Sequence, residues 1–165
     1  MNRKIFETCV SYFNQHKAAR NTLFFFYKGL PLLLFISYPS LLIYALIFWQ
    51  TLMLAELTLV PLGVFLGVTL LRVLVNEQRP YERFGQPSVF HKDTSGKSFP
   101  SRHTASAFII AMAFLRVDPV LGTLMLLFAV IIGLSRILSG AHYIHDVVTA
   151  MLISVAAGYI FFFIF

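Results

Sequence analysis

The chain has 165 residues, of which 58% are hydrophobic and only 12% are charged, with a mean hydropathy of +0.79. Because soluble domains carry roughly 25% charged residues, this composition favours a membrane protein of one domain, residues 1–165. The net charge of +6 points to anionic lipid headgroups and not to nucleic acid, since five basic residues lie in the N-terminal segment: Arg3, Lys4, Lys17, Arg20 and Lys28. Cys9 is the single cysteine, which excludes an intrachain disulfide and a multi-cysteine zinc site.

Residues 1–20 mix polar and apolar side chains and lack the compact apolar core of a cleavable signal peptide. Their apolar residues recur at helical spacing, which predicts a short helix lying in the membrane interface: Ile5, Cys9, Tyr12 and Phe13. Residues 23–49 and 52–75 are long apolar runs, and each predicts a membrane span. Glu56 lies in the second run and is given no catalytic role.

Residues 76–100 form the one long polar segment, which predicts a functional loop. Ser101 opens the next predicted helix, which runs to about residue 115, and Asp118-Pro119 marks a turn before a fourth apolar run over 120–138. Gly140 marks a break, and a last helix is predicted from residues 142–145 to 165. The predicted fold is therefore an all-α integral membrane bundle of about five transmembrane helices plus the N-terminal interfacial helix.

Three clusters of polar residues lie at the edges of these apolar runs. The first has Arg72 and, seven residues later, Arg79-Pro80. The second is Pro100-Ser101-Arg102-His103. The third runs from Ser135-Arg136 to His142 and Asp146. If successive helices alternate in direction, all three clusters emerge on one membrane face, and charged groups near hydrocarbon indicate a functional site.

The residue types in these clusters suit attack on a phosphoryl group. His142 and Asp146 are four residues apart, so on a helix they would share a face, and the carboxylate would fix the tautomer of the imidazole. Guanidinium groups of Arg72, Arg79 and Arg136 can bind phosphate oxygens in bidentate fashion. The helix that starts at Ser101 adds backbone N–H groups, and His103 can protonate a leaving oxygen.

Each of these residues also has an ordinary explanation. A histidine or arginine at a span edge commonly lies in the interface without a catalytic role, and a serine before a helix is commonly a cap. The functional interpretation depends on all three clusters agreeing in spacing and topology. By the same reasoning His145 is expected to play no part, and His16 and His91 are expected on the surface.

A metal-dependent phosphatase would need several clustered carboxylates to hold Mg²⁺. Asp146 is the one acidic residue in the clusters, with Glu77 nearby. The sequence therefore predicts a site without metal or other cofactor.

The three clusters closely resemble the signature motifs of the type 2 phosphatidic acid phosphatase superfamily. They cover residues 72–146 in the expected order. The resemblance implies a six-helix membrane core and a metal-independent lipid phosphatase. It also implies that His142 forms a phosphohistidine, that Asp146 orients His142 and that His103 is the acid-base residue. The implied phosphate-binding set is Arg72, Arg79, Ser101, Arg102 and Arg136.

Two positions depart from the family pattern. Arg72 stands where lysine is common, and Arg102 stands where glycine commonly precedes the histidine. The first change keeps charge but alters hydrogen-bonding geometry, while the second adds a long cation. We expect Arg102 to contact a second phosphate or a charged headgroup.

The resemblance to small bacterial members favours undecaprenyl diphosphate as substrate, with phosphatidylglycerophosphate next and phosphatidate or a lipid A phosphate as further alternatives. Vanadate-dependent haloperoxidases share the motifs but are soluble, which the apolar runs oppose. A non-enzymatic lipid-phosphate binding or transport protein would not need the His142, Asp146 and His103 set.

Two arguments predict opposite sides of the membrane for the site. The positive-inside rule places the basic N-terminus in the cytoplasm, and two spans then put the site there as well. The family resemblance implies an extracytoplasmic site in the cell membrane, which is the expectation adopted. A third crossing within residues 23–75, or an N-terminal helix lying flat in the interface, would reconcile the two.

Overall fold

The computed structural model describes residues 2–49, 51–91 and 94–164, and these residues form helices and loops with no strand. The predicted all-α class is therefore confirmed. Lys92 and Phe165, which the sequence analysis placed in the polar loop and at the end of the last helix, lie outside the described residues. The helices are α1 (Arg3–Gln15), α2 (Lys17–Phe24), a π-helical turn (Phe25–Gly29), α3 (Leu30–Phe48), α4 (Thr51–Val75), α5 (Pro80–Phe84), α6 (Arg102–Val117), α7 (Pro119–Leu138), α8 (Ile144–Tyr159) and a π-helical end (Ile160–Ile164).

Four segments of the described chain are long and apolar enough to cross a membrane: Lys17–Phe48, Thr51–Phe84, Pro119–Leu138 and Ile144–Ile164. The first joins α2, the π-helical turn and α3 into one helix of 32 residues. The described part of residues 23–75 therefore holds two long helices and no third crossing.

The remaining predicted span, α6, has a different character. It has 16 residues and spans about 24 Å at 1.5 Å per residue. Eleven consecutive residues, 104–114, are buried because α4, α7 and α8 pack around it. Four of the eleven are alanines, whose small side chains allow close helix approach. Enclosed by protein, α6 does not need the length of a lipid-facing helix.

A tight hairpin joins α6 to α7. Asp118 caps α7, since its Oδ1 accepts hydrogen bonds of 2.8 Å from the backbone N–H groups of Val120 and Leu121. A Cβ at Gly122 would lie 2.2 Å from the Cα of Leu115, so this crossing requires glycine. The hairpin holds α6 and α7 antiparallel, which brings the start of α6 and the end of α7 to the same end of the bundle.

The N-terminal helix α1 packs on the loop that follows α4. Phe6 and Val10 are buried in a small cluster with Tyr81 and Val89. Two residues of the apolar set predicted from spacing, Ile5 and Tyr12, point outward instead. One apolar face of α1 therefore contacts protein, while a second apolar face, with Ile5 and Tyr12, points outward. The position of α1 in the membrane interface stays a prediction.

Candidate active site

A cavity of about 460 Å³ lies where α4 ends and α6 begins. It brings together residues from all three clusters predicted from the sequence. Its walls are formed by Thr69, Arg72, Val73, Arg79, Thr94, Ser95, Gly96, Lys97, Arg102, His103 and His142. His103 and His142, the two histidines expected to flank one phosphorus atom, thus face the same space.

His142 is held in the short turn between α7 and α8. The chain reverses through Gly140, whose φ of +74° favours glycine, and the N–H groups of Ala141 and His142 both donate to the Arg136 carbonyl. The four-residue spacing predicted that His142 and Asp146 share a helix face. Because α8 begins at Ile144, His142 instead lies just before the helix. The turn still brings its ring against the first turn of α8.

Asp146 orients the His142 ring. Its Oδ2 lies 3.1 Å from His142 Nδ1, and both side chains are almost completely buried. With Nδ1–H donating to the carboxylate, Nε2 is the nitrogen that keeps a free electron pair. The pKa of His142 is lowered to about 4, chiefly by burial; the positive charges of Arg79 and Arg72 also lower it, while the hydrogen bond to Asp146 opposes the shift. The His142 ring is therefore neutral at physiological pH, and its role as a nucleophile stays a prediction.

The polar loop fixes Asp146 from the other side. Ser98 Oγ donates to Asp146 Oδ2 at 2.5 Å, and the Tyr143 N–H donates to the same oxygen at 3.0 Å. The Ser101 N–H donates to the Asp146 carbonyl at 3.0 Å. Ser98 is fully buried, and the sequence analysis missed it because a single serine in a polar loop carries no distinguishing pattern.

Arg79 is the most firmly placed of the cavity cations. It is almost fully buried, and its Nε donates to the Gly96 carbonyl at 3.1 Å. The Glu82 carboxylate accepts hydrogen bonds from the Arg79 N–H at 2.8 Å and from the Gly96 N–H at 2.9 Å, so one side chain ties both ends of the loop. Nη1 of Arg79 is buried and has no hydrogen-bond partner among the described residues.

Glu82 was also missed by the sequence analysis. Its signal was present, because an acidic residue three positions after Arg79-Pro80 fits the pattern of a helix start. Gly96 gave no such signal. Its φ of +60°, and the 2.6 Å that would separate a Cβ there from Asn76 Oδ1, explain why glycine stands at this position.

Three further cations reach the cavity. Arg72 donates from Nη1 to the Pro100 carbonyl at 3.0 Å, which links the end of α4 to the start of α6. Arg102 is exposed, and its guanidinium lies over the Phe65 ring at 5.4 Å from the centroid. Lys97 contributes a third positive charge to the wall.

Two residues of the predicted phosphate-binding set are not on the cavity wall. Arg136 is buried against the π-helical turn, where its guanidinium carbon lies 3.9 Å from the Tyr27 ring centroid and Nη2 donates to the Tyr27 carbonyl at 2.8 Å. Ser101 is fully buried, and its Oγ accepts from Thr104 Oγ1 at 2.9 Å. In this geometry both residues hold helices together, and their contact with phosphate stays a prediction.

The other histidines lie outside the cavity wall. His16 and His91 are exposed, as predicted. His145 was expected to have no role, and it does not line the cavity. It does contact charged groups, because its Nε2 lies 3.1 Å from Glu77 Oε2 and 3.1 Å from Asp146 Oδ1.

The chain is similar to two bacterial proteins. It is 37% identical over 65 residues to the undecaprenyl-diphosphatase BcrC of Bacillus subtilis (strain 168), a match that covers 39% of this chain and about a third (34%) of that protein. The crystal structure of Aquifex aeolicus LpxE superimposes with a TM-score of 0.63 and 28% identity over 82% of each chain. Residues 41–165 match the model of the PAP2 superfamily, so the chain belongs to the PAP2 superfamily, as its three motifs indicated.

Proposed function

We propose that this protein is an integral membrane lipid phosphatase that hydrolyses a phosphate ester or diphosphate of a lipid through a phosphohistidine on His142. One observation carries the proposal: a neutral, buried imidazole oriented by Asp146 shares a cavity with the guanidinium groups of Arg72 and Arg79. Binding an anion would not require an oriented, neutral nucleophile, so the arrangement favours catalysis over binding or transport alone.

The reaction follows from the positions of these groups. Nε2 of His142 attacks phosphorus, and the bond to the leaving oxygen breaks as His103 gives that oxygen a proton. Arg72 and Arg79 compensate the charge on the non-bridging oxygens while Asp146 stabilises the positive ring. A water molecule, losing its proton to His103, then attacks the phosphohistidine and releases phosphate and neutral His142. The cycle needs no metal or organic cofactor.

A second cavity supports a lipid as the substrate. It measures about 260 Å³, lies among α3, α4 and α6, and is lined almost entirely by apolar groups: Phe35, Tyr38, Leu42, Thr58, Pro61, Leu62, Phe65, Ser106, Ile109 and Ile110. Phe65 forms part of this wall and also lies under the Arg102 guanidinium at the phosphate cavity. An apolar chain attached to the phosphate therefore has an apolar space next to the reacting group.

Undecaprenyl diphosphate is the favoured substrate, since BcrC is named an undecaprenyl-diphosphatase. Phosphatidylglycerophosphate and phosphatidate are the alternatives. Purified protein assayed for phosphate release against all three, with EDTA present, tests both points. Fastest release from undecaprenyl diphosphate supports the assignment, whereas loss of all activity in EDTA would contradict the cofactor-free mechanism.

Arg102 offers a finer test of the diphosphate preference. Its exposed guanidinium at the cavity mouth is suited to the distal phosphate of a diphosphate. We expect Arg102→Gly to lower the kcat/KM for the diphosphate lipid roughly tenfold or more, and that for a monophosphate lipid much less. Equal losses on the two substrates would remove this role.

We further propose that the site faces the extracytoplasmic side of the cell membrane. Because α1 packs on the polar loop, the N-terminal helix and the cavity share one end of the bundle. A cysteine in place of the exposed Thr8, in a chain where Cys9 is replaced by alanine, therefore shows which side of the membrane both α1 and the cavity face. Labelling of intact cells by a membrane-impermeant maleimide supports the proposal, and labelling only after lysis would reverse it.

A further inference from the structure

The carboxylate of Asp146 has a second face, turned away from His142. There a cluster of three groups forms from two parts of the chain: Glu77, at the start of the polar loop, and the neighbours His145 and Asp146 in α8. His145 Nε2 lies 3.1 Å from Glu77 Oε2 and 3.1 Å from Asp146 Oδ1. One ligand atom from each of the three lies within 4.8 Å of the other two.

The His145 ring is held so that Nε2 points between the two carboxylates. It stacks on the Tyr143 ring, with an interplanar angle of 9° and 5.2 Å between centroids, and the Phe99 ring lies 5.8 Å away. The backbone of Glu77 is tied to the loop, because its carbonyl accepts the Ser98 N–H at 2.9 Å. The His145 ring and the Glu77 backbone are thus in place before any ligand arrives.

The two oxygens of Asp146 differ in their surroundings. Oδ2 accepts from Ser98, His142 and Tyr143. Oδ1 is buried and receives no hydrogen bond from the described residues, since His145 Nε2 is near it but not in hydrogen-bonding alignment. A buried carboxylate oxygen without a hydrogen bond is costly, and a cation coordinated there would remove that cost.

We propose that Glu77, His145 and Asp146 form a site for a first-row divalent metal ion, best filled by Zn²⁺, whose occupation slows the phosphatase. Tetrahedral Zn²⁺ with bonds of about 2.0–2.1 Å places its ligand atoms roughly 3.3 Å apart, close to the spacings around His145. One imidazole and two carboxylates suit Zn²⁺, whereas Mg²⁺ and Ca²⁺ prefer all-oxygen sites. Water would take the fourth position, as in other three-ligand zinc sites.

Inhibition follows because the metal and His142 would share one carboxylate. Zn²⁺ on Oδ1 withdraws negative charge from Asp146, which weakens the hydrogen bond that His142 Nδ1–H donates to Oδ2. The positively charged ring that develops during phosphoryl transfer is then less stable. This part of the proposal rests on the proposed function, whereas metal binding itself does not.

Metal binding is tested directly, without activity. Purified protein in detergent competes for Zn²⁺ with a chromogenic chelator, and wild type is compared with His145→Ala and Glu77→Gln. His16→Ala, which removes an exposed histidine far from the cluster, is the matched control. We expect the first two variants to bind Zn²⁺ about tenfold or more weakly and the control to bind as wild type. No binding by wild type, or equal binding by all four proteins, would overturn the site.

The effect on turnover is tested by the ratio of phosphate release with and without ZnCl₂ in each protein. We expect the ratio to fall well below one in wild type and His16→Ala, and to rise again to near one when EDTA is added. In His145→Ala and Glu77→Gln we expect the ratio to stay near one. Equal inhibition in all four proteins, or site-dependent binding without inhibition, would overturn the regulatory role. If no lipid phosphate is hydrolysed at all, the proposed function fails while the chelator competition still decides the metal site.

Discussion

Both ends of the helix bundle hold an arginine, a carboxylate and a cavity, yet the two ends differ in how these groups are held. At the end away from the predicted site, Arg116 Nε lies 3.8 Å from Glu56 Oε2 beside a cavity of about 400 Å³. Both side chains are 36% exposed. An ion pair this long and this exposed contributes little to stability.

At the other end two charged groups, Arg79 and Asp146, are buried, and each is bound by several partners. Asp146 is fixed by Ser98, His142 and the Tyr143 N–H, and Arg79 is fixed by Gly96 and Glu82. These bonds hold the side chains in one geometry before substrate binds, which is the condition for electrostatic catalysis.

The largest expected contrast between the two ends comes from His142→Ala. Removing the nucleophile should lower turnover by about 10⁴-fold or more, by analogy with the loss of a nucleophile in other hydrolases. The measurement is phosphate release by purified protein, together with acid-labile ³²P labelling of the wild type that the variant lacks. A variant that keeps full turnover would show that the oriented imidazole is not the catalyst.

The next contrast concerns Arg79. Arg79→Lys keeps the charge but removes the Nε bond to Gly96 and the bidentate geometry, so we expect kcat to fall about 10- to 100-fold with a smaller change in KM. Glu82→Gln, which weakens the same loop from outside the cavity, should show a smaller loss in the same direction. A lysine variant as active as wild type would mean that charge alone suffices here.

The pH profile separates a buried histidine from an exposed one. Since burial lowers the pKa of His142 to about 4 and only the neutral ring attacks, the acid limb of kcat/KM should lie near pH 4, with roughly a tenfold fall per unit below it. The pKa of an unperturbed histidine is about 6.5, and a limb there would contradict the burial argument. Two substrates whose phosphates titrate differently distinguish the enzyme's limb from the substrate's.

The smallest effect is expected at the opposite end. Glu56→Gln removes one partner of the exposed pair with Arg116, and we expect turnover within about twofold of wild type and little change in thermal stability. A loss comparable to that of Arg79→Lys would show that the two ends are coupled, and the contrast between them would no longer hold.

The sequence predicted the fold class together with the three arginines and two histidines of the cavity wall, for a simple reason. Arg72, Arg79, His103, His142 and Asp146 stand at the edges of apolar runs, where charge is conspicuous. The lengths of the apolar runs predict the long helices around them.

The residues that hold the site in place were less accessible to the sequence. Ser98 and Gly96 lie in irregular loop structure, whose conformation depends on long-range hydrogen bonds. The position of Arg136 depends on the π-helical turn Phe25–Gly29, for which apolar periodicity gives no signal. The burial of α6 on every side depends on tertiary packing and could not be predicted from its own 16 residues.

The enclosure of α6 also bears on how the bilayer acts on this molecule. Changes in membrane thickness are met by tilting of helices that touch lipid, which here are the long outer ones. The helix that carries Arg102 and His103 has eleven consecutive residues buried by neighbouring helices. Changes in membrane thickness therefore act on α6 less directly than on the helices that touch lipid. Arg102 and His103 can thus keep their positions while the outer helices adapt to membranes of different lipid composition.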